Sequence, residues 1–337
     1  MFKKPYKQIL ALQSAGLLKT SFGKASGTAV MPRLLILVSI VGALTFTCFA
    51  SAKHFESWGD PVNAESIPGT SSELNTPFND GCPIQSPDGL SLYMASNRPG
   101  GFGGQDIWVA RRDSTDDPWG APENLGAPVN SSANDFCPLP VPGHGLFFVS
   151  ERAGGCGSSD IYFTRLRNGA WEEPQNVGCH INSIAGEASP SYFEDENGHA
   201  VLYFSSQRTD GFAPAGSDSD IYFSVDFAPA QLAPGVNTAF DDFRPNVRKD
   251  GREIVFDSNR PGGFGGQDIW TALRETTADD WSTPTNLGAP INSAANETRA
   301  SMSRDGFTMV FGSNRVGSEG MADIYVTTRE KLKGHEQ

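Results

Sequence analysis

The chain has 337 residues, a formal net charge of −13, 38% hydrophobic and 19% charged residues, 37 Gly and 23 Pro. That mix is too apolar for a disordered chain and too rich in turn residues for a coiled coil or a membrane bundle, and the length suits one large all-β unit. All 39 acidic residues lie beyond position 52 and six of the 26 basic ones precede it, so the remainder sets 20 basic against 39 acidic residues, a net −19. Such a body, with no basic stripe, repels phosphate backbones and anionic lipid and excludes a nucleic-acid partner.

Residues 1–52 read as an export signal region whose true start is Met31. Arg33 is its positive charge, Leu34 to Phe46 its apolar run and Ala50-Ser51-Ala52 its small-residue cleavage site. The run is shorter than the roughly 20 residues of a spanning helix. Cleavage before Lys53, no membrane span in the mature chain and a periplasmic or secreted location are therefore expected. Cys48 offers a lipidation site, although Phe46 and Thr47 depart from the small residues such a site uses. Cleavage leaves Cys82, Cys137, Cys156 and Cys179, which permit two disulfides in an oxidising compartment with three connectivities open.

The segment SNRPGGFGGQDIW occurs at Ser96 to Trp108 and again at Ser258 to Trp270, with weaker copies between and after. The Asp that opens its Asp-Ile-aromatic step recurs at Asp106, Asp160, Asp220, Asp268 and Asp323, every 48 to 60 residues. Each unit reads as four short strands. In the first these are Cys82 to Gln85, Leu90 to Ser96 after the turn Ser86-Pro87-Asp88-Gly89, Asp106 to Arg111, and Trp119 to Leu125. Five such units predict an all-β, five-bladed β-propeller over residues 53–330 with a short tail at 331–337. A fourth-strand pattern, Trp-x-x-Pro-x-Asn, stands at Trp119, Trp171 and Trp281, with a degenerate copy around Gln231 to Asn237. The copy missing from unit five stands at the other end of the chain, as Trp58 to Asn63. The N-terminal segment should thus be the outer strand of the last blade and leave no free sheet edge.

Ser86-Pro87-Asp88-Gly89, the Ser-Asn-Arg steps and the Asp-Ile-Trp steps resemble the TolB-type propeller repeat, the Pro-Asp relative of the WD repeat. The resemblance spans nearly all of residues 55–328, with five repeats in place of TolB's six blades. It implies a binding or scaffold module of the cell envelope whose partner is an envelope protein, peptidoglycan or a glycan. It also admits a polysaccharide-acting enzyme, since some propellers of this kind are enzymes.

In each blade the innermost strand starts on the face that carries the loop between strands two and three, here termed the loop face. That face collects an acid from every unit, Asp80, Asp135, Glu187, Asp242 and Glu297, and Gly-rich loops bearing Phe102, Phe212 and Phe264. The acids are either structural, accepting backbone hydrogen bonds, or they bind a cation, or they supply glycosidase carboxyls about 5 to 9 Å apart. Two residues further on, facing the same way by strand alternation, stand Cys82, Cys137, Ser189, Arg244 and Arg299. Arg244 and Arg299 either neutralise the acids or bind a substrate carboxylate. Cys82 and Cys137, equivalent residues of adjacent blades, are expected to bridge, and Cys156 with Cys179 to form the other pair; four reduced core cysteines are the alternative.

Arg98, Arg152, Arg208, Arg260 and Arg315 end the second strand, where pairing across the hairpin with the repeated third-strand Asp is expected. Asp210, Asp218 and Asp220 loosely resemble a calcium-binding loop, without the Gly and Glu of an EF-hand, and no other cofactor is indicated. The five His are scattered, and no zinc-hydrolase, Ser-hydrolase or P-loop pattern occurs. Gly100, Gly101, Gly103 and Gly104 are hairpin glycines, since no helix follows them as a dinucleotide fingerprint requires. The expectation is a monomeric, exported propeller that binds or scaffolds. The alternative is a glycosidase or lyase using channel carboxylates, with Arg244 and Arg299 orienting a sugar acid.

Overall fold

The computed structural model describes residues 55–212 and 219–332. The expected signal region with Cys48, Asp218, and the end of the C-terminal tail lie outside the described residues. Strand β1 (Val62–Asn63) comes first and is followed by five sets. Blade one is β2 (Asp80–Gln85), β3 (Ser91–Ser96), β4 (Asp106–Arg111) and β5 (Glu123–Asn124). Blade two is β6 (Asp135–Val141), β7 (Gly145–Ser150), β8 (Asp160–Arg167) and β10 (Gln175–Asn176), with a short β9 (Ala170–Trp171) also paired to β8. Blade three is β11 (Glu187–Glu194), β12 (Ala200–Ser206), β13 (Asp220–Val225) and β14 (Gln231–Leu232). Blade four is β15 (Asp242–Val247), β16 (Glu253–Ser258), β17 (Asp268–Leu273) and β18 (Thr285–Asn286). Blade five is β19 (Glu297–Met302), β20 (Thr308–Ser313) and β21 (Asp323–Thr328), completed by β1, where Val62 stands opposite Val326 and Asn63 opposite Tyr325. The innermost strands pack β2 on β6, β6 on β11, β11 on β15, β15 on β19 and β19 back on β2, which closes a five-membered ring.

The repeated Asp-Ile-aromatic step explains why the blades pack. The isoleucines Ile107, Ile161, Ile221, Ile269 and Ile324 have no exposed surface, nor do Met94, Phe148, Phe204, Phe256 and Phe311 on the neighbouring second strands. These side chains fill the wedges between sheets, and burying each large apolar group contributes about 1.5–3 kcal/mol. Between blades the chain is tied by an Asn that pairs twice with the same Ile backbone, as when Asn130 accepts from the Ile107 N–H and donates to its C=O at 2.8 and 2.9 Å. At the seam Asn75 takes that place, accepting from Ile324 N–H at 2.8 Å, while Asn63 donates to Asp323 at 3.0 Å.

The fourth strands are shorter than expected, two residues rather than the span Trp119 to Leu125. Pro122 has no N–H to give to the ladder, so it separates the bond from Gly120 N–H to the Arg111 carbonyl at 2.9 Å from the paired residues of β5. Trp119 instead packs at the blade edge beneath Arg112, and Trp58 likewise lies beneath Arg329, each with the guanidinium 4.1 Å from the ring centroid. Two disulfides join Cys82 to Cys137 and Cys156 to Cys179, the connectivity that the repeat alignment favoured. No helix among the described residues is long and apolar enough to cross a membrane.

Two outcomes test this architecture. A chain beginning at residue 76 loses β1, Trp58 and Asn75 and is expected to aggregate, while Trp58→Ala in the full chain should lower unfolding free energy by about 3–5 kcal/mol. Equal melting temperatures for all three proteins would show that the ring is not closed by this segment. Reduction of the Cys82–Cys137 bridge, whose sequence separation is 55, should cost about 4 kcal/mol by the loop-entropy relation, read as a fall in the urea midpoint.

Candidate functional site: the loop face and the axial channel

The ring acids lie one per blade at the start of β2, β6, β11, β15 and β19, and none has any exposed surface. Each pairs with the arginine that ends the second strand of its own blade: Arg98 with Asp80 at 2.6 Å, Arg152 with Asp135 at 2.9 Å, Arg208 with Glu187 at 3.1 Å, Arg260 with Asp242, and Arg315 with Glu297 at 3.2 Å. Four residues upstream a Ser or Thr donates both its N–H and its hydroxyl to the same carboxylate, as Ser131 does to Asp135 at 2.6 and 2.7 Å. The arginine in turn donates to a carbonyl of the inter-blade linker, as Arg152 does to Val129 at 2.6 Å, and lies over the aromatic rings of Phe148 and Tyr162. Both oxygens of every ring carboxylate thus accept hydrogen bonds from within the protein.

This corrects the expected partnership of the arginines with the third-strand Asp. In an antiparallel sheet the residue ending the second strand faces both the start of the first and the start of the third, and the carboxylate of the first wins. The third-strand Asp instead caps the Gly-rich loop: Asp106 accepts from Phe102 N–H at 2.6 Å, and Asp268 accepts from Gly265 N–H at 3.1 Å and from Asn286 at 2.9 Å. Glycine is required here by close approach, because a Cβ on Gly101 would lie 1.7 Å from the Asp106 carboxylate and one on Gly103 1.9 Å from the Ala133 carbonyl of the next blade.

The loops held in this way project apolar side chains into solvent. Phe102 and Phe264 are more than half exposed, as is Phe212, and Phe78, Ile184, Phe240, Val316 and Met321 are exposed on the same face. Most of the exposed large apolar residues among the described ones belong to it.

Within the ring, each inner strand carries a bulge at one equivalent position. Cys82, Cys137, Ser189, Arg244 and Arg299 have φ between 46° and 59°, and the ladder shifts register across each of them. A left-handed non-glycine residue costs on the order of 1 kcal/mol or more, and a bulge re-aims its side chain; here all five line the axial cavity of about 40 Å³. One half of the axis is closed by the Cys82–Cys137 bridge, with the Ser189 hydroxyl 3.2 Å from Cys137 Sγ. The other half is cationic. Arg244 forms an ion pair not with a ring acid but with Asp257, a buried residue of β16 that also accepts from Arg299 N–H at 3.0 Å. Burial raises the Asp257 carboxyl above the usual range, and Arg244 pulls it back. Burial, and then Arg244, lower the Arg299 guanidinium to about 9.

Asp257 was invisible to sequence reasoning because it breaks the repeat, standing where the other blades have Ala95, Val149, Ser205 and Gly312. Equally unforeseen is a cleft of about 360 Å³ at the opposite end of the propeller, lined by Phe55, Trp58, Arg248, Arg274, Leu287 and Arg329. Its charged groups pair with one another, while the buried Trp58 Nε1 has no hydrogen-bond partner. Buried Glu253 accepts from Arg248 at 2.6 Å and from Arg329 at 2.7 Å, and Arg329 covers both Phe55 and Trp58 at 4.1 Å. Of the calcium-like trio, Asp210 accepts from the Tyr222 hydroxyl at 2.7 Å, and among the described residues no group of three or more His, Cys, Asp or Glu is placed to hold a metal ion.

The sequence matches no family model and no curated protein. Among solved structures the chain overlaps a thermostable family-43 glycoside hydrolase with a TM-score of 0.51 and 14% identity, over 79% of this chain and 94% of that one. It overlaps the α-L-arabinofuranosidase from Lactobacillus brevis with a TM-score of 0.52 and 14% identity, over 82% and 95% of the two chains. A putative TolB from Agrobacterium tumefaciens overlaps at 0.45 and 16% identity, over 82% and 91%, too loosely to argue from. At these identities the likeness establishes the fold alone. The chain is a five-bladed β-propeller.

Because the ring pairs are buried, Asp242→Asn and Arg260→Gln should each cost about 3–5 kcal/mol, the penalty for stranding one partner of a buried pair. Urea unfolding checks this, and an unchanged midpoint for either would remove the structural role assigned to the ring.

Proposed function

We propose that this propeller is a polysaccharide-recognising module of the periplasm or the extracellular space, with the glycan held on the loop face. The observation that carries the reading is the presence of five exposed aromatic side chains, Phe78, Phe102, Phe212, Phe240 and Phe264, on the same face as the start of a cation-bearing axial cavity. Aromatic rings offer flat apolar platforms to the C–H faces of sugars, and a few polar groups at the centre fix orientation. The shared fold with a glycoside hydrolase and an arabinofuranosidase supports a sugar ligand. The two disulfides support an oxidising compartment.

A second reading, an enzyme cleaving polysaccharide, is favoured by those same two overlaps and is supported at least as well as a scaffold role for an envelope protein. Glycoside hydrolysis needs two accessible carboxyls roughly 5 to 9.5 Å apart. The five ring acids are buried and committed to arginine, so turnover would have to draw on exposed loop acids such as Glu151 and Glu319. Recognition without cleavage is what the geometry favours.

The test is retention of purified residues 53–337 on a panel of arabinan, xylan, pectin and peptidoglycan, scored in parallel for release of reducing ends. Retention without release is expected. Phe102→Ala and Phe264→Ala should weaken retention about tenfold, as truncation of an aromatic anchor does, with unchanged melting temperature. Release of reducing ends by the unmodified protein would replace this reading with the enzymatic one, and no retention on any glycan would leave neither standing.

A further inference from the structure

The axis of the propeller departs from five-fold repetition in a way that blade architecture does not require. The ring acids are already neutralised by their own arginines, so Arg244 and Arg299 are surplus to that task. Arg244 has Asp257, which leaves two cations against one buried anion. Arg299 donates only its backbone N–H to Asp257. Its Nε is buried without a hydrogen-bond partner, and no acceptor among the described residues takes a hydrogen bond from the rest of its guanidinium.

The guanidinium reaches its position because blade one makes room for it. A Cβ on Gly81 would lie 2.3 Å from Arg299 Nη1. The equivalent residues of the other blades are Phe136, Ala188, Phe243 and Thr298, every one of which carries a Cβ. Glycine occurs at this place only across from the unpaired arginine. The cavity these residues line, about 40 Å³, exceeds the roughly 10–15 Å³ that one water needs but is far below the 300 Å³ or more of a pocket for a whole small ligand. It is large enough for a planar carboxylate group. It lies only two residues below the starts of the inner strands, next to the loop face. The net negative body does not forbid an anion there, since at physiological salt exposed charges are screened beyond about 8 Å.

We infer that Arg299, with Arg244 beside it and Gly81 opposite, forms an axial site for the carboxylate of an acidic sugar residue bound on the loop face. This rests on the glycan reading above and narrows it to uronic-acid polysaccharide. A guanidinium in a partly desolvated site gives charge-assisted hydrogen bonds that a neutral ester does not replace.

Two measurements are made on the disulfide-bonded protein, residues 53–337, and on the Arg299→Gln, Arg299→Lys and Gly81→Ala variants. Calorimetric titration compares trigalacturonic acid with its methyl ester, and thermal unfolding compares sodium acetate with sodium chloride at equal ionic strength. The acid should bind at least about tenfold tighter than the ester, and acetate should raise the melting temperature of the unsubstituted protein. Arg299→Gln should abolish both differences and Arg299→Lys retain part of them. Gly81→Ala, which keeps the charge but displaces it, should behave as Arg299→Gln does, with the variants' melting temperatures in chloride confirming that they fold.

Equal binding of acid and ester, with no effect of acetate, overturns the axial site and leaves the glycan reading intact. Stabilisation by acetate that depends on Arg299, with neither saccharide bound, keeps the axial anion site and removes uronic-acid polysaccharide as its ligand. No response to acetate or to either saccharide overturns both the axial site and the narrowing to uronic acid, and the glycan panel above decides the broader reading.

Discussion

A buried carboxylate closed on by an arginine, repeated once per blade, is the interaction on which the rest of this propeller depends. Neither partner could be buried alone, because an unpaired charge out of water is prohibitively costly. Together they connect three things: the start of the inner strand, the end of the second strand, and through the linker carbonyl the chain arriving from the preceding blade. The Ser or Thr four residues upstream completes the carboxylate's acceptor capacity, as Thr76 does for Asp80 with two bonds of 2.6 Å. This unit sets where each loop leaves the sheet, so the loop face is a consequence of five internal ion pairs. The same burial removes these acids from chemistry.

What remains for function is what the repeat does not determine. Two classes of residue lie outside the packing that the repeat builds: the tips of the Gly-rich loops, whose Phe102 and Phe264 are exposed and make no contribution to the core, and the bulge positions of the inner strands, which share a backbone conformation but not a side chain. The bulge is what turns Cys82, Cys137, Ser189, Arg244 and Arg299 towards the axis. On one side of the axis the common geometry holds a covalent bridge, and on the other a cation. An architecture that is uniform in backbone therefore presents an asymmetric centre.

The repeat made much of this legible in advance. Two copies of one 13-residue segment, with the Asp-Ile-aromatic step recurring three more times, suffice for blade count, strand order and the displacement of the Trp58 strand to the far end of the chain. Cys82 and Cys137 could be paired because equivalence in adjacent blades is a spatial statement. The partner of Arg98 could not be read, since sequence distance favours Asp106 across a short hairpin whereas the sheet offers Asp80 at equal reach. Asp257 and Gly81 were missed because each is an exception to its own repeat position. The cleft beneath Trp58 was missed because it joins the first described residues, the β15–β16 turn and Arg329, which only ring closure brings together.

The most direct test of the central claim is a double-mutant cycle on Asp135 and Arg152, with Asp135→Asn, Arg152→Gln and the double variant compared by urea unfolding. Direct contact within one buried network predicts a coupling energy of about 1–3 kcal/mol, with the double variant less destabilised than the two single effects added together. A coupling within about 0.3 kcal/mol of zero would mean that the pair does not hold the blade, and the ring carboxylates would return as candidates for binding or catalysis.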